Sequence, residues 1–187
     1  QDRPHLLGVE QFMQQYYRLT MGLHETLLRF VDRCLAVPGK RRSPRALPST
    51  TVDGYFVVTG RRLTVSSDLR ARVLDSPDVL LRLFDLARSR RLKIDSDLLD
   101  EIHNHMDSVS NEAFRTPEAS RVFLKILAGP EAVAATLEAM HRAHLLEKLI
   151  PVFANLRGLM QFNQYHKYTV DVHTLLAVAK AEALGLE

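Results

Sequence analysis

Val9, Phe12, Tyr16, Leu23, Leu27, Val31 and Cys34 recur at intervals of three, four or seven residues, and nothing between them breaks a helix. A 3.6-residue period sustained from residue 8 to 36 predicts one amphipathic helix, about 43 Å long at 1.5 Å per residue. The natural architecture is an antiparallel helical bundle laid around it. Gly22 lies inside the pattern and costs about 1 kcal/mol relative to alanine, so close packing or a slight bend is expected there. Cys34 sits on the stripe and reads as a buried, inert thiol.

Residues 37 to 51 interrupt the helical period with Pro38, Gly39, Pro44 and Pro48, and gather Lys40, Arg41, Arg42 and Arg45. This is a basic surface loop. No aromatic residue interleaves with its charges, which argues against single-strand nucleic-acid binding. Nucleic-acid binding through this loop and Arg88 to Lys93 would show as a steep salt dependence. A net charge of only +3 gives it no support, and no nucleic-acid partner is expected. Tyr55 to Val58 and Leu63 to Val65 flank Thr59-Gly60-Arg61-Arg62 and predict a β-hairpin over about 52–65. Two strands are marginal alone, so the hairpin must pack on helices. The fold class is therefore mainly α, a helical bundle with a small β-hairpin insertion.

From Ser76 the helices return, punctuated by Ser76-Pro77, Thr116-Pro117 and Gly129-Pro130, with proline at the first helical position or glycine just past the end. Val79, Leu80, Leu83, Phe84, Leu86 and Ala87 make one apolar face. Arg88, Arg90, Arg91 and Lys93 follow at its C-terminal end, where cations complement the dipole. Asp95 opens a helix to about Met106; its Asp97, Asp100 and Glu101 read as a solvated first-turn cluster. His103 and His105 are two apart and face different ways. His141 and His144 are three apart and could share a metal, but no cysteine or acidic partner stands at matching spacing. Thr169 can cap a last helix from Val170, with Asp171 in its first turn and His173 one turn inside, a candidate metal ligand or a polar residue packed at a helix start.

The stretch Met160-Gln161-Phe162-Asn163-Gln164-Tyr165-His166-Lys167-Tyr168-Thr169-Val170-Asp171-Val172-His173-Thr174-Leu175 resembles a junction in the bacterial protein-PII uridylyltransferase/uridylyl-removing enzymes, the GlnD family, where such a segment leads into an HD-type phosphohydrolase domain. Val9-Glu10-Gln11-Phe12-Met13-Gln14-Gln15-Tyr16-Tyr17-Arg18, Ser76 to Phe84, Glu118 to Leu127 and Leu145 to Pro151 follow the same family in order. Val172 departs from it where an acidic residue is usual, and His141 and His144 stand in a segment that commonly carries other residues.

The resemblance implies a parent that transfers UMP from UTP to a PII signalling protein in nitrogen regulation, removes it again at an HD site, and senses glutamine through other domains. It implies residues 1–167 as the helical uridylyltransferase-associated domain and 168–187 as the first helix of a truncated HD domain. His173 matches the lone histidine of an HD site, but no His-Asp dipeptide occurs in the chain. The site is therefore incomplete, and no catalytic residue is assigned within the fragment. Mg²⁺ or Mn²⁺ would serve the parent and none is expected bound here. The absence of an initial methionine and a helical pattern still running at Glu187 fit a piece cut from a longer protein. A single cysteine suits a reducing, cytoplasmic setting, and no membrane span is expected. The competing reading is a free-standing helical interaction module without enzymatic activity.

Overall fold

Seven of the thirteen residues of the helix Pro77–Ser89 are buried, Leu80, Leu81, Leu83 and Phe84 completely. A helix apolar on more than one face belongs in the middle of a fold, and this one does. The structure, a computed structural model, describes residues 8–35, 48–160 and 168–185. Among these the elements run α1 (Gly8–Leu35), β1 (Ser49–Val52), β2 (Phe56–Thr59), β3 (Arg62–Val65), α2 (Arg70–Leu74), α3 (Pro77–Ser89), β4 (Lys93–Ile94), α4 (Ser96–Met106), a 3-10 turn at Asn111–Phe114, α5 (Pro117–Leu127), α6 (Val133–Arg142), α7 (Leu146–Leu149), α8 (Phe153–Leu156) and α9 (Val170–Leu184). The chain is mainly α with a small sheet, as its residues predict.

Helix α3 packs chiefly on α5, then on α2 and α6. Leu98, Ile102 and Met106 of α4, Ile126 of α5, Met140 of α6 and Leu145 complete the core. The helix starts follow local chemistry. Asp95 accepts the Asp97 N–H at 3.1 Å, and Thr116 accepts the Ala119 N–H at 3.0 Å. Each satisfies a donor the first turn leaves open. Ser76 stands at the N-cap of α3 without a side-chain cap bond; there Pro77 supplies the start.

The expected hairpin is present as β2 and β3, with Val58 opposite Leu63 and Thr59 opposite Arg62. It is the centre of a larger sheet, ordered β1-β2-β3-β4. β1 adds antiparallel through a turn in which Asp53 and Gly54 both have positive φ, 54° and 73°, the conformation an Asp-Gly pair favours. β4 adds parallel to β3, the Asp95 N–H donating to the Leu63 carbonyl at 2.9 Å. Phe56, Leu63 and Val65 are wholly in the core, so the sheet is a wall of it rather than an appendage.

The long first helix forms over almost the expected span, but it is not the axis of the bundle. Val9, Phe12, Tyr16, Leu23, Leu27 and Val31 are exposed. A β-carbon at Gly22 would meet nothing within 4 Å, so close packing does not explain that glycine. Cys34 falls on a side chain outside the description, as does the basic loop from Lys40 to Arg45. The other basic run is committed locally. Arg88 is buried against Asp85 at 2.9 Å, Lys125 closes on the other Asp85 oxygen at 2.8 Å, and Arg91 pairs with Glu131. Asp85 is held below its ordinary value because Lys125 and Arg88 outweigh its burial.

Because Phe84 fills the space between sheet and helices at zero exposure, Phe84→Ala is expected to lower unfolding stability by about 3–5 kcal/mol. Urea denaturation of the variant measures this; a loss under about 1 kcal/mol would place the core elsewhere.

Candidate functional site

Helix α9 carries the sequence-predicted residues and is tied to α6 at both ends. At the N-terminus of α6, Ala132 adopts φ 58° and offers no side-chain cap. The cap comes from Glu182 near the far end of α9: its two carboxylate oxygens accept the Val133 and Ala134 N–H groups, each at 3.0 Å. A carboxylate there also complements the helix dipole. At the C-terminus of α6, the His141 ring meets Asp171 in the first turn of α9, Nε2 to Oδ2 at 3.1 Å. The two helices therefore run antiparallel, fastened by one ionised group at each end.

The second fastening extends into a buried network. His141 Nδ1 lies 2.9 Å from Glu147 Oε1 on α7. Arg157, in the turn after α8, donates to the same oxygen through Nε at 2.8 Å and Nη2 at 2.6 Å, and to the His141 carbonyl. Gly158 donates its N–H to Asp171 Oδ2 at 3.2 Å. Phe153 covers the ring edge-on at 5.4 Å. Asp171 is fully buried, His141 and Glu147 nearly so.

A carboxylate stands at each ring nitrogen of His141, and the Arg157 Nη2 donor also lies 3.1 Å from Nδ1. Burial disfavours the charge of His141, but the hydrogen bonds to Asp171 and Glu147 outweigh burial and hold its pKa above the ordinary 6.5. Burial pushes Asp171 and Glu147 upward too. Their bonds to His141, with the Gly158 N–H on one and Arg157 on the other, hold both below the usual carboxylate range. The two carboxylates thus face Arg157 and a histidine whose charged form they favour, in a space with little water, the condition under which buried ions persist.

Gly158 is also where α1 meets this network. Its φ is +66°, and a β-carbon there would come 3.1 Å from Arg18 Cγ and 3.3 Å from the Gln14 carbonyl. Gln14 donates to the carbonyls of Asn155 and Arg157, and Arg18 to those of Arg157 and Ala154. Two polar side chains of α1 thereby satisfy the open C-terminal carbonyls of α8.

Two cavities flank the joint. One of about 560 Å³ opens among Arg18, His103, Asp107, His144, Lys148 and Arg157. The other, of about 960 Å³ and mostly apolar, runs between α1, α6 and α9. His144, at φ 58° past the end of α6, lies against His103 with ring centroids 4.2 Å apart and planes tilted by 52°. Burial, then the nearby charges of Arg157 and His103, push its pKa down to about 4.

The sequence-predicted positions are distributed as follows. His173 is exposed on α9, two residues from buried Asp171 and on a different face. His141 and His144 share no ligand, because the first turns into the network and the second toward His103. His105 approaches Asp75, away from His103. Glu101 pairs with Arg70 while its side chain stays 41% exposed. Leu175 is buried, but Leu176 is exposed. Among the described residues no group of three or more His, Cys, Asp or Glu side chains could hold a metal ion. These residues alone do not fit a divalent metal. Residues 161–167 of the junction motif lie outside the described residues.

The fold and the joint define a mainly helical domain with a small mixed sheet, closed by an ionic clamp on its last helix. The chain belongs to the GlnD family: the model of the uridylyltransferase GlnD third domain matches residues 56–149, half of the chain. It is 35% identical over 178 residues to the bifunctional uridylyltransferase/uridylyl-removing enzyme of Azospirillum brasilense, covering 91% of this chain and 19% of that protein. With the enzyme of the same name from Caulobacter vibrioides (strain NA1000 / CB15N) the identity is 31% over 191 residues, 95% of this chain and 20% of that protein. The chain thus spans about a fifth of the length of these curated relatives. No solved structure matches it.

The two histidines at the end of α6 have opposite pH signatures. His141, raised, contributes stability present below pH 6.5 and lost as pH climbs through its folded pKa. His144, lowered, opposes folding as pH falls from 6.5 toward 4. In urea titrations the stability difference between the chain and His141→Gln is expected to shrink from pH 6 to pH 8. The chain should lose ground to His144→Gln from pH 6.5 to pH 4. Ring-proton NMR should show His141 titrating above 6.5 and His144 far below; both rings titrating together near 6.5 would contradict the clamp.

Proposed function

We propose that this chain is the helical segment between the two active sites of a protein-PII uridylyltransferase/uridylyl-removing enzyme. The reading rests on one observation above others. A domain model of that family matches half of the chain, while relatives named for both activities are five times as long. On this reading the parent transfers UMP from UTP to a PII signalling protein and removes it again, in response to glutamine and in the service of nitrogen regulation. The setting is the cytoplasm; among the described residues no helix is long and apolar enough to cross a membrane.

The segment's own contribution is positional. The domain boundary falls near residue 168, and α9 is the first helix of the HD domain. Two features support this. His173 faces outward at the start of α9, where an HD-type first ligand would stand. Asp171, two positions earlier, faces inward and locks the helix to α6 and to the turn after α8. One helix thus offers a candidate ligand on one face and an anchor on another. The remaining ligands for the parent's Mg²⁺ or Mn²⁺ would come from beyond this chain, and neither catalytic centre resides within it.

The purified chain, given UTP, PII and Mg²⁺ or Mn²⁺, is expected to show neither UMP transfer nor UMP release. Turnover above background would overturn the assignment of both centres to other parts of the parent. In the full-length enzyme His173→Ala should abolish UMP removal and spare transfer, whereas equal loss of both would make His173 structural. Asp171→Ala, by contrast, should cost about 3–5 kcal/mol in the stability of this chain, since it breaks a buried pair and leaves His141 Nε2 and the Gly158 N–H without their acceptor.

A further inference from the structure

The described side chains of α1 are arranged inside out. Gln14, its most buried residue, and Arg18 face the body through hydrogen bonds to backbone carbonyls. Its large apolar residues face away: Phe12 is 64% exposed, Leu19 69%, Leu23 70% and Phe30 64%, with Tyr16 and Leu27 above half. At 100° per residue the ridge through 12, 16, 19, 23, 27 and 30 centres about 180° from Gln14. An amphipathic helix normally buries the apolar face and solvates the other. Contiguous apolar surface on this scale marks an interaction site.

The spacing specifies the shape of what covers it. From Val9 the apolar positions run 9, 12, 16, 19 and 23, alternating steps of three and four residues, the 3.5-residue seam along which helices pack side by side. The ridge continues to Val31, about 33 Å along the axis at 1.5 Å per residue. A helix of similar length fits this surface, whereas a globular ligand or a single loop would leave most of it wet.

We infer that the α1 ridge is the docking seam for a helix of the same polypeptide from the part of the parent enzyme that precedes the third domain. Two observations choose this occupant over a second copy. The chain amounts to about a fifth of its relatives, so most of the polypeptide that could cover the ridge lies outside it. The matched third-domain region, residues 56–149, excludes α1. Among its described residues the helix reaches the body through hydrogen bonds of Gln14 and Arg18 to the carbonyls of Ala154, Asn155 and Arg157, themselves past the matched region, and its apolar ridge faces away. It acts as a shared element, hydrogen-bonded to the body behind it and packed on the helix ahead of it. The inference rests on the reading of this chain as one part of a longer enzyme.

The test uses the full-length parent and the 187-residue chain, each with and without the pair Leu19→Lys and Leu23→Lys. Amide exchange over residues 9–31 is expected to be at least about tenfold slower in the parent than in the isolated chain. The lysine pair should abolish that difference and lower the parent's Tm by several degrees, yet leave the isolated chain's Tm unchanged. Equal exchange in both proteins, or a parent indifferent to the lysines, overturns the inference. So does sedimentation showing the isolated chain as a stable dimer that the lysines dissociate, since the occupant would then be a second copy. UMP transfer by the unsubstituted parent is measured alongside: activity with an unprotected ridge defeats the seam alone, and a parent without transfer activity defeats the functional reading.

Discussion

One imidazole held between two carboxylates determines how four segments of this chain can sit. His141 ends α6, Glu147 lies on α7, Arg157 follows α8 and Asp171 begins α9. Three of these helices are too short to be stable alone, since α7 and α8 have four residues each and α6 ten. What fixes their angles is a charge balance that tolerates few alternatives. Moving any one member leaves a buried ion without its partner, at a cost of several kcal/mol. Hydrophobic burial around α3 supplies the bulk of the stability. The network supplies the geometry at the C-terminal end, where apolar contacts alone would allow neighbouring packings.

Helix α1 depends on the same place. It reaches the body through Gln14 and Arg18, whose acceptors are the carbonyls on either side of Arg157's turn. That turn is close enough to α1 because residue 158 is glycine at positive φ. The Gly158 N–H in turn donates to Asp171 Oδ2. The first helix and the last are thus joined through one backbone turn, although about 140 residues separate them. A side chain at 158 would press on both at once, which gives this glycine a reason that Gly22 lacks.

The elements were legible from residues 76 to 143 because each boundary carries its own local chemistry: Ser76-Pro77, Asp95, Thr116-Pro117, Gly129-Pro130. The hairpin was legible from its alternation and from Gly60. Strand β1 escapes that reading although Asp53-Gly54 is a strong turn signal, because its residues Ser49 to Thr51 are polar and exposed and show no alternation. β4 has two residues and exists only through its parallel partner. The stripe on α1 gives the right period and the wrong destination. Periodicity reports which residues share a face, not whether the partner of that face is present. The clamp was the least legible feature. His141 and Asp171 are 30 positions apart, and each has a plausible local reading, one as a lone histidine and the other as a first-turn acid. A metal site betrays itself by ligand spacing, whereas a four-member ion cluster has no fixed spacing. Only Arg157 and Gly158, adjacent in a turn, could have hinted that backbone and charge are organised there together.

The position of α9 between two different constraints bears on what this domain does for the proposed enzyme. Glu182 holds its far end to the first turn of α6, and Asp171 holds its near end to the last. A helix pinned at two points to an antiparallel partner cannot slide or rotate without losing at least one ion contact. His173 therefore travels with the core of the third domain rather than with a flexible linker. The clamp contains one group whose charge changes near neutral pH, and its raised pKa keeps that group protonated where an ordinary histidine would have let go. One of the carboxylates that raise it, Asp171, is the one that binds α9 to α6. The device that positions the helix is therefore also the device that keeps itself charged, and the rigidity of the joint follows from that mutual dependence.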